Sequence, residues 1–103
     1  MSEHHVERVH SEDVVLDIGD GVGALILYTT QELSGEEIEV SPVDDDAKRS
    51  HTAIHERRVN GRTVFAGVYP ELPEGTYRIW SEDPSKPTTF TILSGLITEI
   101  DWR

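Results

Sequence analysis

The stretch VGALILYT, Val22 to Thr29, is dense in aliphatic and β-branched residues and follows the turn residues Gly19, Asp20 and Gly21. Together with DVVLDIG just before it, it predicts a first pair of strands separated by a turn. TTQELSG then allows one helical turn from Thr30 to Gly35, because Thr can cap a helix and Gly can take the left-handed closing conformation. EEIEVSP alternates Ile38 and Val40 and stops at Pro42, which predicts another strand. VDDDAKRS after it is a polar loop.

Asn60-Gly61 lies between two strand-like runs, SHTAIHERRV and RTVFAGVY. A type I′ turn needs positive φ at both central positions, and these two residues tolerate it, so the dipeptide predicts a tight hairpin. The register follows. Val59 should face Arg62, Arg57 should face Val64, His55 should face Ala66 and Ala53 should face Val68. Ile54, Phe65, Gly67 and Tyr69 then share the opposite surface. Both surfaces carry apolar residues, so the pattern does not choose the core side.

PELPEG predicts a turn, TYRIWSED a strand, DPSKP a turn, TTFTIL a strand, Ser94-Gly95 a tight turn and LITEIDW a last strand. Short, regularly spaced strands with almost no helix predict an all-β fold, an antiparallel β-sandwich of about seven to eight strands. Residues 1–12 lack periodicity and read as a flexible polar tail, leaving 13–103 as a single domain.

The phrase TVFAGVYPELPEGTYRIW resembles the signature of prealbumin-like β-sandwich modules, the group of carboxypeptidase regulatory-like and Cna-B-like domains. The likeness rests on an aromatic before a Leu-Pro-x-Gly turn and an aromatic after it, here Tyr69, Leu72, Pro73, Gly75 and Tyr77. Pro73 presets the turn, Gly75 supplies a permissive backbone, and Tyr69, Leu72 and Tyr77 are spaced to converge on one core. The resemblance covers some twenty residues and implies a prealbumin-like fold and a mostly non-catalytic binding or structural role. It transfers no functional residue. The Lys–Asn isopeptide chemistry of some Cna-B-like relatives is not implied, since Lys48 and Lys86 both fall in polar loops.

Composition narrows the classes further. Twenty acidic against nine basic residues give a formal charge of −11, which repels phosphate backbones and anionic lipid surfaces. Nucleic acid and membrane are therefore unexpected partners, and a protein partner or self-association is expected. The absence of cysteine removes disulfides, thiolate metal sites and a cysteine nucleophile. The polar start MSEHHVERVHSED lacks the apolar region of a signal peptide, and no run reaches the ~20 apolar residues of a membrane span. The expected location is cytoplasmic.

Candidate chemistry centres on the five histidines. His4 stands third once the initiator Met is removed, so the amine, two amide nitrogens and its imidazole can enclose Cu(II) or Ni(II), with His5 and His10 assisting. His51 and His55 would share one face of a helix for a zinc-type site, but in a strand they stand roughly 13 Å apart. No cofactor is expected unless these histidines take a divalent transition metal. Asp44, Asp45 and Asp46, or Asp17 with Asp20, offer oxygens for calcium without EF-hand spacing. Gly19, Gly21 and Gly23 imitate a phosphate loop, yet a strand follows where a helix N-terminus is needed.

Ser50 beside His51 supplies hydrolase groups in no recognisable geometry, and Trp80 or Trp102 could stack on a sugar if exposed. The expected role is a non-enzymatic binding or accessory module that acts through protein–protein contacts, with open strand edges as a natural docking surface. A histidine-dependent metal-binding protein and a small hydrolase are the alternatives.

Overall fold

The computed structural model describes residues 7–10, 20–81 and 88–103, and for 7–10 and Val59 the backbone alone. Among them are nine strands: β1 (Glu7–His10), β2 (Val22–Thr29), β3 (Glu37–Pro42), β4 (Ser50–Ala53), β5 (His55–Val59), β6 (Arg62–Pro73), β7 (Gly75–Trp80), β8 (Thr89–Ile92) and β9 (Ile97–Asp101). A five-stranded sheet has the order β1-β9-β2-β6-β5 and a four-stranded sheet the order β4-β3-β7-β8. The expected all-β sandwich is the fold that forms. The expected strand DVVLDIG, the turn DPSKP, His4 and His5 lie outside the described residues.

Alternation along the strands builds the core. Leu25 and Leu27 of β2, Tyr69 and Leu72 of β6 and Ile100 of β9 meet Ile38 and Val40 of β3, Tyr77 and Ile79 of β7, and Phe90 and Ile92 of β8. Each fully buried aliphatic or aromatic side chain contributes about 1.5–3 kcal/mol, so this layer holds the two sheets together. The Tyr77 and Phe90 rings stack with centroids 5.3 Å apart. Tyr69, Leu72 and Tyr77 do converge on one core, as the spacing around Leu72-Pro73 predicts.

The five-stranded sheet is also apolar on its outer face. Ala24, Ile26, Tyr28, Ala66 and Ile97 form a second buried cluster, with Val64 and Val68 half-buried beside it. This is why both surfaces of the β5–β6 hairpin read as apolar in the sequence. Phe65 and Tyr69 point to the inter-sheet core and Val64, Ala66 and Val68 to the outer cluster.

Four features differ from the expectation. The run from Ser50 to Val59 is not one strand, because Ile54 turns into the core at zero exposure. Its N–H donates to Glu36 O at 2.9 Å and its carbonyl accepts from Gly35 N at 2.8 Å. Before Ile54 the chain belongs to the four-stranded sheet, and after it to the five-stranded one. Ala53 therefore pairs with Glu37 rather than Val68, while the predicted pairs Val59–Arg62, Arg57–Val64 and His55–Ala66 all form. Asn60 at φ 53° and Gly61 at φ 78° make the turn.

Second, Glu7–His10 lies within the stretch expected as a polar tail but pairs antiparallel with β9, whose other side is taken by β2. Third, β2 and β9 run parallel, whereas every other pair among the described residues is antiparallel. Fourth, β6 continues through Pro70 to Pro73, so the expected PELPEG turn shrinks to the bend at Glu74. The register against β2 slips there, Gly23 opposing Leu72 and Leu25 opposing Tyr69. A bulge of this kind spares Pro70 the donor role that it cannot fill.

Candidate functional site

The hairpin of β5 and β6 places an open strand edge beside a cluster of positive charge. β5 pairs with β6 on one side and, among the described residues, with nothing on the other. In a hairpin with a two-residue loop, the residues flanking the turn exchange both backbone hydrogen bonds, and the pattern then alternates. Val59, Arg57 and His55 consequently turn their backbone groups toward β6. Glu56 and Arg58, both exposed, direct theirs outward. The open stretch begins abruptly, because the backbone of Ile54 is already committed to Glu36 and Gly35.

Arg57, Arg58 and Arg62 stand within six positions here, accompanied by one acid, Glu56, in a chain of charge −11. The ion pairs of the described residues employ other cations: Arg49 with Glu39 at 2.7 Å, Arg78 with Asp46 at 3.4 Å and Arg103 with Asp101 at 3.0 Å. Arg57 instead donates from Nε to its own hairpin at Ala66 O, 2.9 Å, and Arg58 donates to Gly61 O at 3.2 Å. These backbone bonds fix the stems of Arg57 and Arg58, and among the described residues none of the three guanidinium charges meets a carboxylate. Strand pairing sets Arg57 and Arg62 on the outer side of the sheet and Arg58 on the other.

A second polar cluster covers the outer face of the four-stranded sheet. Trp80 is half-buried, its Nε1 donating to Ser41 Oγ at 3.0 Å, and the Arg49 guanidinium lies 3.9 Å from its ring centroid. Arg78 approaches the same ring at 5.7 Å. The ring face that could stack on a sugar if exposed is thus roofed by an arginine, itself tied to Glu39. Arg78 Nε is buried without a hydrogen bond, so its pairing with Asp46 is electrostatic only. Trp102 is a core residue at 3 % exposure.

An open cleft of about 370 Å³ lies at one end of the sandwich, lined among others by Val43, Lys48, Ser50, Leu72, Glu74 and Tyr77. Ser50 reaches it because it faces inward opposite Val40, whereas His51, opposite Glu39, is on the far side of the sheet. The adjacency that suggested a hydrolase is therefore split by the pleat.

The histidines are dispersed. His51 is exposed in β4 of one sheet and His55 is exposed in β5 of the other. His10 lies in β1, at the opposite edge of the five-stranded sheet from β5. Four strand spacings separate those edges, on the order of 19 Å. Among the described residues no three His, Cys, Asp or Glu side chains cluster for a metal ion. Asp44, Asp45 and Asp46 are exposed in the loop after β3.

The glycines that imitate a phosphate loop have structural duties. Gly21 forms a turn at φ 78°, and a Cβ on Gly23 would lie 2.5 Å from Leu93 O and 2.8 Å from Leu96 O. Sequence reasoning passed over Arg58 and Arg62. Their clustering in an acidic chain was visible, but its meaning depends on β5 being an edge, which the break at Ile54 decides.

No helix of the described residues is long and apolar enough to cross a membrane. No family model matches the chain, and neither a curated protein nor a solved structure does.

Proposed function

We propose that the protein is a non-enzymatic, prealbumin-like β-sandwich module that holds another protein by extending its five-stranded sheet at β5. One observation supports this above the rest: Glu56 and Arg58 point their backbone N–H and C=O groups outward from a hairpin closed by a two-residue turn. An extended segment docking there replaces water on these groups with ladder hydrogen bonds, the mode by which sheet edges recruit peptides. The scaffold suits this role, because the tight turn at Asn60-Gly61 and the buried Ile54 hold both ends of β5 and little ordering remains to be done on binding. The Leu72-Pro73-x-Gly75 turn with its two core tyrosines supports the prealbumin-like assignment.

Site-specific photocrosslinking in the host tests the role. A photoreactive side chain at Glu56 should yield a discrete heavier adduct, and the same probe at Glu74, an exposed position in the bend between β6 and β7 and away from β5, should not. Adducts that form equally at both positions, or at neither, would argue against docking at this edge.

A further inference from the structure

We infer that the segment received by β5 is acidic: an extended strand of a different protein with carboxylates at two adjacent positions, read by Arg57 and Arg58 from the two faces of the sheet. This rests on the proposed docking at β5 and adds the identity of the occupant. Three observations lead to it.

The first is that, among the described residues, these guanidinium groups have no carboxylate partner. Arg57 and Arg58 are tethered by single hydrogen bonds to backbone carbonyls of their own hairpin, and Arg62 sits beside them across the turn. Arginine presents five donors in a fixed fork that suits carboxylates bidentately, so most of that capacity remains available. The other arginines with described side chains, Arg49, Arg78 and Arg103, already have acidic neighbours.

The second is placement. Side chains of adjacent strands stand on the same face when their residues are opposite one another. Arg57 projects on the outer side of the sheet and Arg58 on the inner side, so neighbouring residues of an incoming strand meet them in turn. Two consecutive acids satisfy both, and backbone pairing at Glu56 and Arg58 sets the register.

The third observation separates a foreign strand from a second copy of this chain. An antiparallel union of two β5 edges about a twofold axis at Arg58 would oppose Arg58 to Arg58, and one about Arg57 would oppose Arg57 to Arg57 on the outer face even though Glu56 then faces Arg58 of the copy. Like charges directly opposite destabilise a sheet, and charges on an edge strand are a recognised guard against self-pairing. The same arginines that repel a copy attract an acidic strand. The chain's own charge of −11 does not prevent this, since exposed charges beyond roughly 8 Å are largely screened at physiological salt.

The experiment uses the full chain, uniformly 15N-labelled, and three capped eight-residue peptides of alternating valine and threonine. Their two central positions are glutamates, glutamines or lysines. The glutamate peptide should shift the amide signals of Glu56 and Arg58 in a saturable way, and binding should weaken as salt is raised. Relative to it, the glutamine and lysine peptides should bind at least about tenfold more weakly. The double variant Arg57→Glu, Arg58→Glu should lose the glutamate peptide and gain the lysine one. Arg58→Pro, which removes an outward N–H without touching the β5–β6 ladder, should abolish binding of every peptide; if that variant does not fold, the charge reversal alone decides.

Equal affinity for the glutamate and glutamine peptides would overturn the acidic occupant while leaving the open edge standing. No shift at Glu56 or Arg58 with any peptide would overturn the edge as well. A dimer in sedimentation that the charge reversal dissolves would make the occupant a second copy, against the inference.

Discussion

The hydroxyl of Tyr69 in β6 donates to the backbone carbonyl of Ile38 in β3, so a single side chain bridges the two sheets through the core. Tyr69 is 4 % exposed, and Ile38 is the buried residue that faces it from the other layer. The Tyr69→Phe variant keeps the ring but leaves that carbonyl without its partner. An unpaired buried acceptor costs about 1–3 kcal/mol, and urea denaturation should show a loss in that range with an unchanged slope. A midpoint equal to that of the wild type would mean that water reaches the carbonyl.

The same phenol makes the fold sensitive to alkali. Burial, reinforced by the neighbouring Glu39 charge, holds the Tyr69 pKa well above its ordinary value of 10.0, and burial moves Tyr77 in the same direction. Below about pH 10 the phenol is neutral in both folded and unfolded chains, and its full contribution to stability is present. Above that pH the unfolded chain releases the proton and the folded one retains it, so stability falls as pH rises. Between about pH 8 and about pH 11 the urea midpoint should drop, and by less in Tyr69→Phe. Parallel losses in the two proteins would assign the alkaline weakness to other groups.

Gly67 marks where β4 crosses over β6. A Cβ there would lie 2.8 Å from Thr52 Cγ2 and 3.1 Å from Ile54 Cδ1. Gly67→Ala should therefore push β4 off the hairpin at a cost of about 1–3 kcal/mol. Gly23→Ala, which meets the Leu93 and Leu96 backbone carbonyls, should cost at least as much, because backbone yields less readily than a side chain. Thermal melts of the two variants order these costs.

Asn60 and Gly61 both hold positive φ, so replacing both with alanine should cost about 1–2 kcal/mol per residue. Faster amide exchange along β5, with β3 and β7 unchanged, is the expected signature. Uniform acceleration over both sheets would instead show that the hairpin unfolds only with the whole molecule.

The sequence disclosed whatever is governed by local chemistry. Asn60-Gly61 dictated a turn and, through it, three correct pairs of the hairpin, because a two-residue loop admits one register. Leu72, Pro73 and Gly75 dictated the bend between β6 and β7, although Pro70 concealed how far β6 extends. The break at Ile54 was hidden, since nothing in SHTAIHERRV distinguishes an aliphatic residue that continues a strand from one that carries the chain between layers. The candidate site depended on that break. Three arginines were legible as charge, but only pairing on one side turns β5 into an edge, and pairing arises from residues far away in the chain. The parallel union of β2 and β9 was likewise invisible, as strand direction leaves little trace in a short apolar run.

That union has a consequence for how the molecule comes into being. β2 runs down the middle of its sheet, with β6 on one flank and β9 on the other, and its residues from Ala24 to Tyr28 match positions 97 to 101. While the ribosome is still making the polypeptide, β2 can find β6 but must wait for β9, so one flank of an almost wholly apolar ribbon stays bare until residues 97 to 101 have been made and released. The nascent chain is thus open to aggregation through the whole interval between the making of β2 and that of β9, and β9 acts as the clasp that ends the exposure.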